Sequence, residues 1–87
     1  MYSVSTTPKF DKQIKKLDKY TRRLIIAWIE KNLEGCSNPR VHGKALSANK
    51  CGQWRYRIGV YRVICAIEDE DLIILSLSVG LRRDIYN

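Results

Sequence analysis

The fold of this chain is decided by residues 53–64, which read Gln53-Trp54-Arg55-Tyr56-Arg57-Ile58-Gly59-Val60-Tyr61-Arg62-Val63-Ile64. Apolar and basic side chains alternate from Trp54 to Ile58, and this alternation predicts a strand with one apolar and one basic face. The next two residues, Gly59 and Val60, suit a type II′ turn, because glycine at the first turn position readily adopts the required backbone angles. The stretch therefore predicts a β-hairpin.

The register of this hairpin brings two arginines together. A two-residue turn at Gly59 and Val60 makes Arg57 face Arg62 across the two strands. Like charges that face each other in this way are destabilising by a few tenths to about 1 kcal/mol. A sheet that keeps such a pair with no acid nearby in the sequence is typical of an anion-binding surface. For a basic surface flanked by aromatic residues, the anion that fits best is a nucleic-acid phosphate.

Length and charge narrow the class of protein. A chain of 87 residues forms one small domain, which we take to span residues 1–87. The net charge is +7 and the sequence pI is about 9.6, a surplus that favours polyanionic partners. Acidic residues are absent from residues 35–67 and gather at residues 68–71, which we interpret as a solvated turn. The basic residues of the 35–67 segment are Arg40, Lys44, Lys50, Arg55, Arg57 and Arg62.

The cysteines and the histidine argue against a metal site and a secreted protein. Cys36, Cys51 and Cys65 are odd in number and lack the spacing of metal ligands, and His42 is the only histidine. Cys65 lies in an apolar strand and is expected in the core. Neither a signal segment nor a run of transmembrane length is present in the sequence. We therefore expect a cytoplasmic protein that does not associate with membranes.

Two helices are predicted before the hairpin. The first begins with Thr7 as N-cap and Pro8 as first helical residue. The second is predicted over about residues 20–34 and is ended by Gly35 in the left-handed conformation. Few residues separate the helices, so we expect them to pack as an antiparallel hairpin. Their expected buried residues recur at helical spacing: Phe10, Ile14, Leu17, Leu24, Ile25, Trp28, Ile29 and Leu33.

The remaining elements complete an α+β fold. Strands are predicted at about residues 2–6, 53–58, 61–68 and 71–79, with Gly80 ending the last strand and residues 35–52 forming a loop. The expected architecture is an N-terminal strand and a two-helix hairpin packed on a mainly antiparallel, four-stranded twisted sheet. The helices cover only one face of such a sheet. Apolar residues left on the other face suggest a protein partner: Ile64, Ala66, Leu75 and Leu77.

The residues that suit catalysis are arginines and one tyrosine. The sequence lacks a nucleophile triad, a carboxylate pair and a glycine-rich phosphate loop. Fixed guanidinium groups suit phosphoryl chemistry on RNA, in which the 2′-hydroxyl attacks its own phosphate and neither a metal nor another cofactor is needed. A phenol whose pKa is lowered by nearby arginines is a suitable base, although Tyr86 is equally explained as a ring packed on the sheet. The group consists of Arg55, Arg57, Arg62, Arg82, Arg83 and Tyr86.

At these positions the chain resembles the RelE/ParE toxin superfamily, on the RelE side. The similar segments are the hairpin at 53–64, the loop at 39–46 and the terminal Val79-Gly80-Leu81-Arg82-Arg83-Asp84-Ile85-Tyr86. Together they cover nearly the whole chain. The resemblance implies the toxin of a type II toxin–antitoxin system that cleaves mRNA in the ribosomal A site. It also implies a cognate antitoxin, through which the toxin–antitoxin complex binds its own operator DNA.

The resemblance also assigns roles, position by position. Arg62 and Arg82 would stabilise the scissile phosphate, and one of them would protonate the leaving 5′-oxygen. Tyr86 would be the base. Further contacts to mRNA or ribosomal RNA are implied for Arg55, Arg57, Lys44, Lys50 and Arg83.

One departure from the family pattern concerns Leu81, where close relatives often have histidine. We expect Gly80 to end the strand and place residue 81 beside Arg82, so that Leu81 limits catalysis and histidine would raise it. A catalytically impaired toxin is the corresponding alternative. Two further alternatives stay open: a ParE-like protein that poisons DNA gyrase without enzymatic activity, and a plain nucleic-acid-binding module. The last lacks a helix-turn-helix signal in the sequence.

Overall fold

The computed structural model, which describes residues 1–46 and 52–81, has the predicted α+β fold. Its helices are α1 (Pro8–Lys15) and α2 (Lys19–Asn32), and a short 3-10 helix follows at Pro39–Val41. The strands form one sheet in the order β1-β5-β4-β3-β2, in which β1 is parallel to β5 and the other pairs are antiparallel. Their bounds are β1 Ser3–Thr6, β2 Lys44–Ala45, β3 Gln53–Ile58, β4 Tyr61–Glu68 and β5 Ile73–Leu81.

The fifth strand corrects the predicted count of four. It is β2, which pairs Lys44 with Arg55 and Ala45 with Trp54 inside the segment 35–52 that was predicted as a loop. Two residues are too few for an alternating pattern, so the sequence carries no sign of this strand. Its consequence is functional, because it brings a lysine beside the arginines of β3.

The hairpin has the predicted register. Arg57 pairs with Arg62, and Tyr56 pairs with Val63. Gly59 has a positive φ of 62°, as the turn requires. Cross-strand partners project to the same side of a sheet, so Arg57 and Arg62 share one face while Tyr56 and Val63 share the other.

The helices begin and end close to the predicted positions. The Thr7 hydroxyl accepts a hydrogen bond from the Phe10 amide at 3.2 Å, and Gly35 has a φ of 76°. Leu24, predicted to be buried, is 47% exposed. The buried stripe of α2 is centred on Ile25 and Ile29, and Leu24 lies about 100° around the helix from Ile25.

Both helices pack on the same side of the sheet, which we call the helix face. The core there joins helix residues to the inward residues of the strands. Tyr56 and Cys65 are completely buried in it, so the prediction for Cys65 is confirmed, and burial raises the pKa of its thiol to about 12. The opposite side carries Lys44, Arg55, Arg57 and Arg62, and we call it the arginine face.

Strand β5 starts later and ends later than predicted. Asp71 and Leu72 belong to the preceding turn, where Leu72 has a positive φ of 55°. At the other end, Gly80 does not end the strand: it pairs with Arg62, and Leu81 pairs with Tyr61. The strand continues because β4 still offers backbone partners at these two positions.

Candidate anion-binding site on the arginine face

Four basic side chains surround one cavity on the arginine face. The cavity has a volume of about 190 Å³ and is lined by Gly43, Lys44, Arg55, Arg57 and Arg62. The sheet register explains this grouping, since Lys44 pairs with Arg55 and Arg57 pairs with Arg62 on three adjacent strands. Within residues 1–46 and 52–81, no acidic side chain lines the cavity. The predicted convergence of Arg55, Arg57 and Arg62 is therefore found.

The arginines differ in depth. Arg62 is only 6% exposed, whereas Arg57 is exposed and Arg55 is half-buried. Arg62 lies on β4, where it pairs with Arg57 of β3 on one side and with Gly80 of β5 on the other. In the protein without substrate, a guanidinium stays charged when it is buried, and its field is less screened there than in bulk water. Arg62 is thus the least exposed of the cations that line the cavity.

One wall of the cavity depends on Gly43. This residue has a φ of +73°, a conformation that other residues rarely adopt. A Cβ atom here would overlap the Arg55 carbonyl oxygen and lie 2.9 Å from Cδ1 of Tyr56. Only glycine allows the loop to pass this close to β3, and the close approach puts Lys44 in register with Arg55.

Two side chains of β3, the buried Tyr56 and the half-buried Trp54, hold the same loop from the helix face. The Tyr56 hydroxyl donates to the Pro39 carbonyl at 2.7 Å, and the Trp54 indole N–H donates to the His42 carbonyl at 2.6 Å. Burial raises the pKa of Tyr56, so its phenol remains a donor. Alternate residues of β3 therefore have separate tasks, fixing the loop from one face and lining the cavity on the other.

An ion pair fixes the start of the loop that leads to β2. Arg40 donates two hydrogen bonds to Asp69, each 2.9 Å long, and the Tyr2 hydroxyl donates a third at 2.6 Å. The Arg40 hydrogen bonds, followed by that of Tyr2, lower the pKa of Asp69 to about 2. Sequence reasoning assigned residues 68–71 to a solvated turn and missed this link. Twenty-nine positions separate Arg40 from Asp69, and no local pattern connects them.

The histidine lies outside the cavity lining. The His42 ring contacts Trp28 edge-on, with 5.7 Å between ring centroids, and Trp28 belongs to the core on the helix face. The cavity begins at the next residue, Gly43.

Leu81 is part of strand β5. Leu81 pairs with Tyr61, and two residues away on each strand the buried residues Val63 and Val79 pair on the helix face. Because side chains two residues apart in a strand share a face, Leu81 also lies on the helix face. The expectation that Gly80 ends the strand is wrong, whereas the expected place of residue 81 beside Arg82 and on the approach to Tyr86 lies outside the described residues.

Four predicted site residues lie outside the described residues: Lys50, Arg82, Arg83 and Tyr86. Their roles remain predictions. Within residues 1–46 and 52–81, no three His, Cys, Asp or Glu side chains are grouped as metal ligands would be. Over the same residues, neither helix is long and apolar enough to cross a membrane.

Of the apolar residues predicted on the second face, Ile64, Ala66 and Leu75 lie there by register. Ile64 is 6% exposed, and Ala66, Leu75 and Leu77 are half-buried. Leu77 is the additional residue at an irregularity of the ladder, where Ile64 pairs with Ser78 and Cys65 pairs with Ser76. This apolar patch adjoins the arginine site along β4.

Comparison with known proteins places these features in a family. Residues 4–86 match the family model described as the ParE toxin of type II toxin–antitoxin system, parDE. No curated protein sequence gives a significant match. The match to 83 of the 87 residues confirms the resemblance to the RelE/ParE superfamily.

Solved structures agree with this result. The chain is similar to a protein of the RelBE2 toxin–antitoxin complex from Mycobacterium tuberculosis, with 26% identity, a TM-score of 0.83, and coverage of 93% of this chain and 91% of that chain. For the Escherichia coli RelBE complex the identity is 20%, the TM-score 0.76 and the coverage 93% and 96%. For the RelE–RelB complex of Pyrococcus horikoshii the values are 22%, 0.71, 93% and 94%. At these last two identities the likeness establishes the fold alone.

Proposed function

Since this chain belongs to the ParE toxin family of type II toxin–antitoxin systems, we propose that it is a toxin that cleaves mRNA on the ribosome. The substrate class is mRNA in the ribosomal A site, and the reaction is metal-independent cleavage of a phosphodiester bond. The proposed site consists of the cavity on the arginine face together with Arg82 and Tyr86.

One observation carries the proposal: three arginines and a lysine converge on a single cavity whose deepest member, Arg62, is 6% exposed. Binding a polyanion requires only exposed cations, which neutralise phosphates at the surface. A guanidinium held in a shielded position is suited to charge that develops during a reaction, because it need not reorganise and its field is weakly screened. The depth of Arg62 therefore favours a catalytic role over simple phosphate binding.

The proposed reaction conserves atoms and charge. The 2′-hydroxyl gives its proton to the Tyr86 phenolate and attacks the adjacent phosphorus, forming a 2′–O–P bond. The P–O5′ bond breaks, the RNA ends in a 2′,3′-cyclic phosphate, and the 5′-oxygen takes a proton from Arg82 or Arg62. The neutral guanidine then regains a proton from water and the Tyr86 phenol returns its proton to water, so that both groups are restored for the next turnover. Arg62 and Arg82 hold the phosphorane charge, while Arg55, Arg57 and Lys44 bind the flanking phosphates. Lys50 and Arg83 make further phosphate contacts.

An antitoxin is the proposed protein partner. The similar solved structures named above are toxin–antitoxin complexes. An acidic, amphipathic segment would suit both the apolar patch (Ile64, Ala66, Leu75, Leu77) and the arginines next to it. Such a segment would block the cavity and keep the toxin inactive in the cytoplasm. We expect the complex to bind its operator DNA through the antitoxin.

A second candidate function is inhibition of DNA gyrase without catalysis. The observation that favours it is the description of the matched family, which is that of ParE. In this case the arginine face would serve as a binding surface only, and the burial of Arg62 would have no catalytic purpose.

The deciding experiment compares two activities of the purified chain. Ribosomes programmed with a defined mRNA are incubated with the toxin, and cleavage products are mapped by primer extension. In parallel, DNA gyrase is assayed for supercoiling. We expect cleaved mRNA with cyclic phosphate ends and unaffected supercoiling. Blocked supercoiling together with intact mRNA would favour the gyrase inhibitor.

A further inference from the structure

Gly80 lies on the arginine face, and its backbone conformation does not require glycine. It lies inside β5 and pairs with Arg62. Its backbone is extended and its φ is not positive, in contrast to Gly43 and Gly59. Glycine inside a strand weakens the strand relative to alanine, because it has no side chain to pack and loses more conformational freedom on folding. Gly80 weakens β5, and its backbone conformation does not require glycine. A functional reason for glycine at this position is therefore expected.

The pairing of β4 with β5 suggests a functional reason for glycine at position 80. Directly paired residues of antiparallel strands have Cβ positions about 4.5–5.5 Å apart on the same face. A side chain at position 80 would therefore stand beside Arg62, on the side away from Arg57. Across the sheet the row reads Arg57, Arg62, Gly80: an exposed cation, a buried cation, and a position with no side chain.

The next set of paired residues across these three strands shows that the missing side chain is confined to the set that contains Arg62. Two residues back along β5, Ser78 pairs with Ile64, and Ile64 pairs with Arg55. Side chains are present at all three of these positions. In these two rows of described residues, the side chain is thus missing only at the position that pairs with Arg62, the least exposed cation of the cavity. Glycine in a strand interior often marks a place where a ligand or another backbone approaches closely.

We propose that Gly80 is a positioning residue that admits the sugar–phosphate backbone of single-stranded RNA. The chain lies directly on β5 at Gly80 and so brings a phosphate within reach of the Arg62 guanidinium. The inference rests on the proposed function, since it takes RNA as the ligand. It assigns to Gly80 no chemical step, only room for the substrate.

Two substitutions separate this role from a structural one. Gly80→Ala and Gly80→Val add one and three carbons at a strand position whose φ is not positive, so the backbone conformation does not exclude them. We expect the melting temperature to stay equal or rise, because both residues favour a strand over glycine. RNA affinity and cleavage should fall, more for valine than for alanine. A structural role would instead move stability and activity in the same direction.

The matched control is Ser5→Val, which adds a β-branched side chain on the same face of the sheet. Ser5 is exposed on β1 and pairs with Leu75, five residues from Gly80 along β5. Five residues of strand span about 17 Å. This control should leave RNA affinity and cleavage unchanged.

Two measurements are made on each full-length variant. The first is the affinity for a short 2′-fluoro oligoribonucleotide, which lacks the attacking hydroxyl and reports binding alone. The second is kcat and KM for cleavage on programmed ribosomes. A misplacement of about 1 Å can reduce a rate by 10²-fold, so we expect a loss of about 10²-fold in kcat/KM for Gly80→Val.

The outcomes distinguish this inference from the proposed function. Weakened binding by Gly80→Val at unchanged or higher stability supports the inference, including the case in which the parent binds RNA without cleaving it. Equal binding and cleavage by parent and Gly80→Val overturn the inference while the proposed function stands. A parent that neither binds nor cleaves RNA overturns both.

Discussion

The helix face and the arginine face are made from the same strands, yet they are opposite in chemistry. On β3, Tyr56 is completely buried in the core while its neighbour Arg57 is exposed. On β4, Val63 packs in the core while its neighbour Arg62 lines the cavity. Because side chains alternate with a period of two, a slip of one residue would exchange the faces. The register that begins at the Gly59–Val60 turn therefore determines both the core and the site.

This contrast predicts where substitutions act. On the helix face, removal of a side chain leaves a cavity or a buried polar group without its partner, so stability falls. On the arginine face, removal of an exposed cation leaves solvent, so stability changes little and anion binding is lost. Substitutions at adjacent residues of one strand should thus differ in effect: on the helix face they reduce stability, and on the arginine face they reduce anion binding.

The largest effect is expected for Tyr56→Ala on the helix face. Truncation of a buried aromatic side chain costs about 3–5 kcal/mol of the free energy of unfolding. It also leaves the Pro39 carbonyl, which accepts from the Tyr56 hydroxyl at 2.7 Å, without its donor. Urea denaturation measures the loss. Tyr56→Phe is the control for the hydroxyl alone and should cost about 1–3 kcal/mol. A fully stable Tyr56→Ala protein would break the contrast between the faces.

A loss of activity of similar size is expected for Arg62→Ala. Removal of a fixed donor at a developing oxyanion typically lowers kcat by about 10²–10³, or about 3–4 kcal/mol. We expect the same range for Arg82→Ala. Single-turnover cleavage on programmed ribosomes measures it, with circular dichroism to verify folding. Arg62→Lys keeps the charge in this shielded position and controls for the effect of truncation. Cleavage at the parent rate would remove the substituted arginine from the mechanism.

Much of this contrast could be predicted from the sequence. The alternation around Tyr56 and the turn at Gly59 predicted the hairpin, its register and the pairing of Arg57 with Arg62, all of which are confirmed. These signals are local, since a strand's period and a turn's glycine lie within a few residues. The order of strands and helices similarly predicted the α+β class.

What the sequence did not predict depends on contacts between distant segments. Strand β2 exists because Gly43 passes close to Arg55, and the loop before it is held by the pair of Arg40 with Asp69. The predicted end of β5 at Gly80 is wrong because glycine in a strand is only a local stop signal. The neighbouring strand decides where pairing ends, and residues 61 and 62 extend β5 through Leu81.

A smaller effect, with the opposite sign for stability, is expected for Arg57→Gln. This change removes the like-charge contact with Arg62 and should raise the free energy of unfolding by about 0.2–1 kcal/mol at low salt. The gain should shrink in high salt, which screens exposed charges. RNA affinity should fall, with a salt dependence weaker by about one phosphate contact. Arg23→Gln, on the exposed side of α2, controls for net charge.

The link between Arg40 and Asp69 should appear as a dependence of stability on pH. The pKa of Asp69 is lowered from 3.8 to about 2 in the folded protein. A lowered folded-state pKa stabilises the protein above the unfolded value, and this contribution is lost as the pH falls from about 4 to about 2. The melting temperature of the parent should therefore fall more steeply over this range than that of Asp69→Asn. Parallel curves would show that the pair does not stabilise the fold.

The smallest effect on cleavage is expected for Leu81→His, and this null result would sharpen the contrast between the faces. Family resemblance favours histidine here as an acid or base, a role typically worth about 10²–10⁴-fold. The register argues against a gain, because Leu81 pairs with Tyr61 on the helix face while Arg62 lies on the other. An imidazole at position 81 would thus project away from the scissile phosphate. We expect equal single-turnover rates for Leu81→His and the parent at matched stability. A rate increase that titrates near neutral pH would show that residue 81 reaches the arginine face during catalysis, and the assignment of separate tasks to the two faces would then fail at the end of β5.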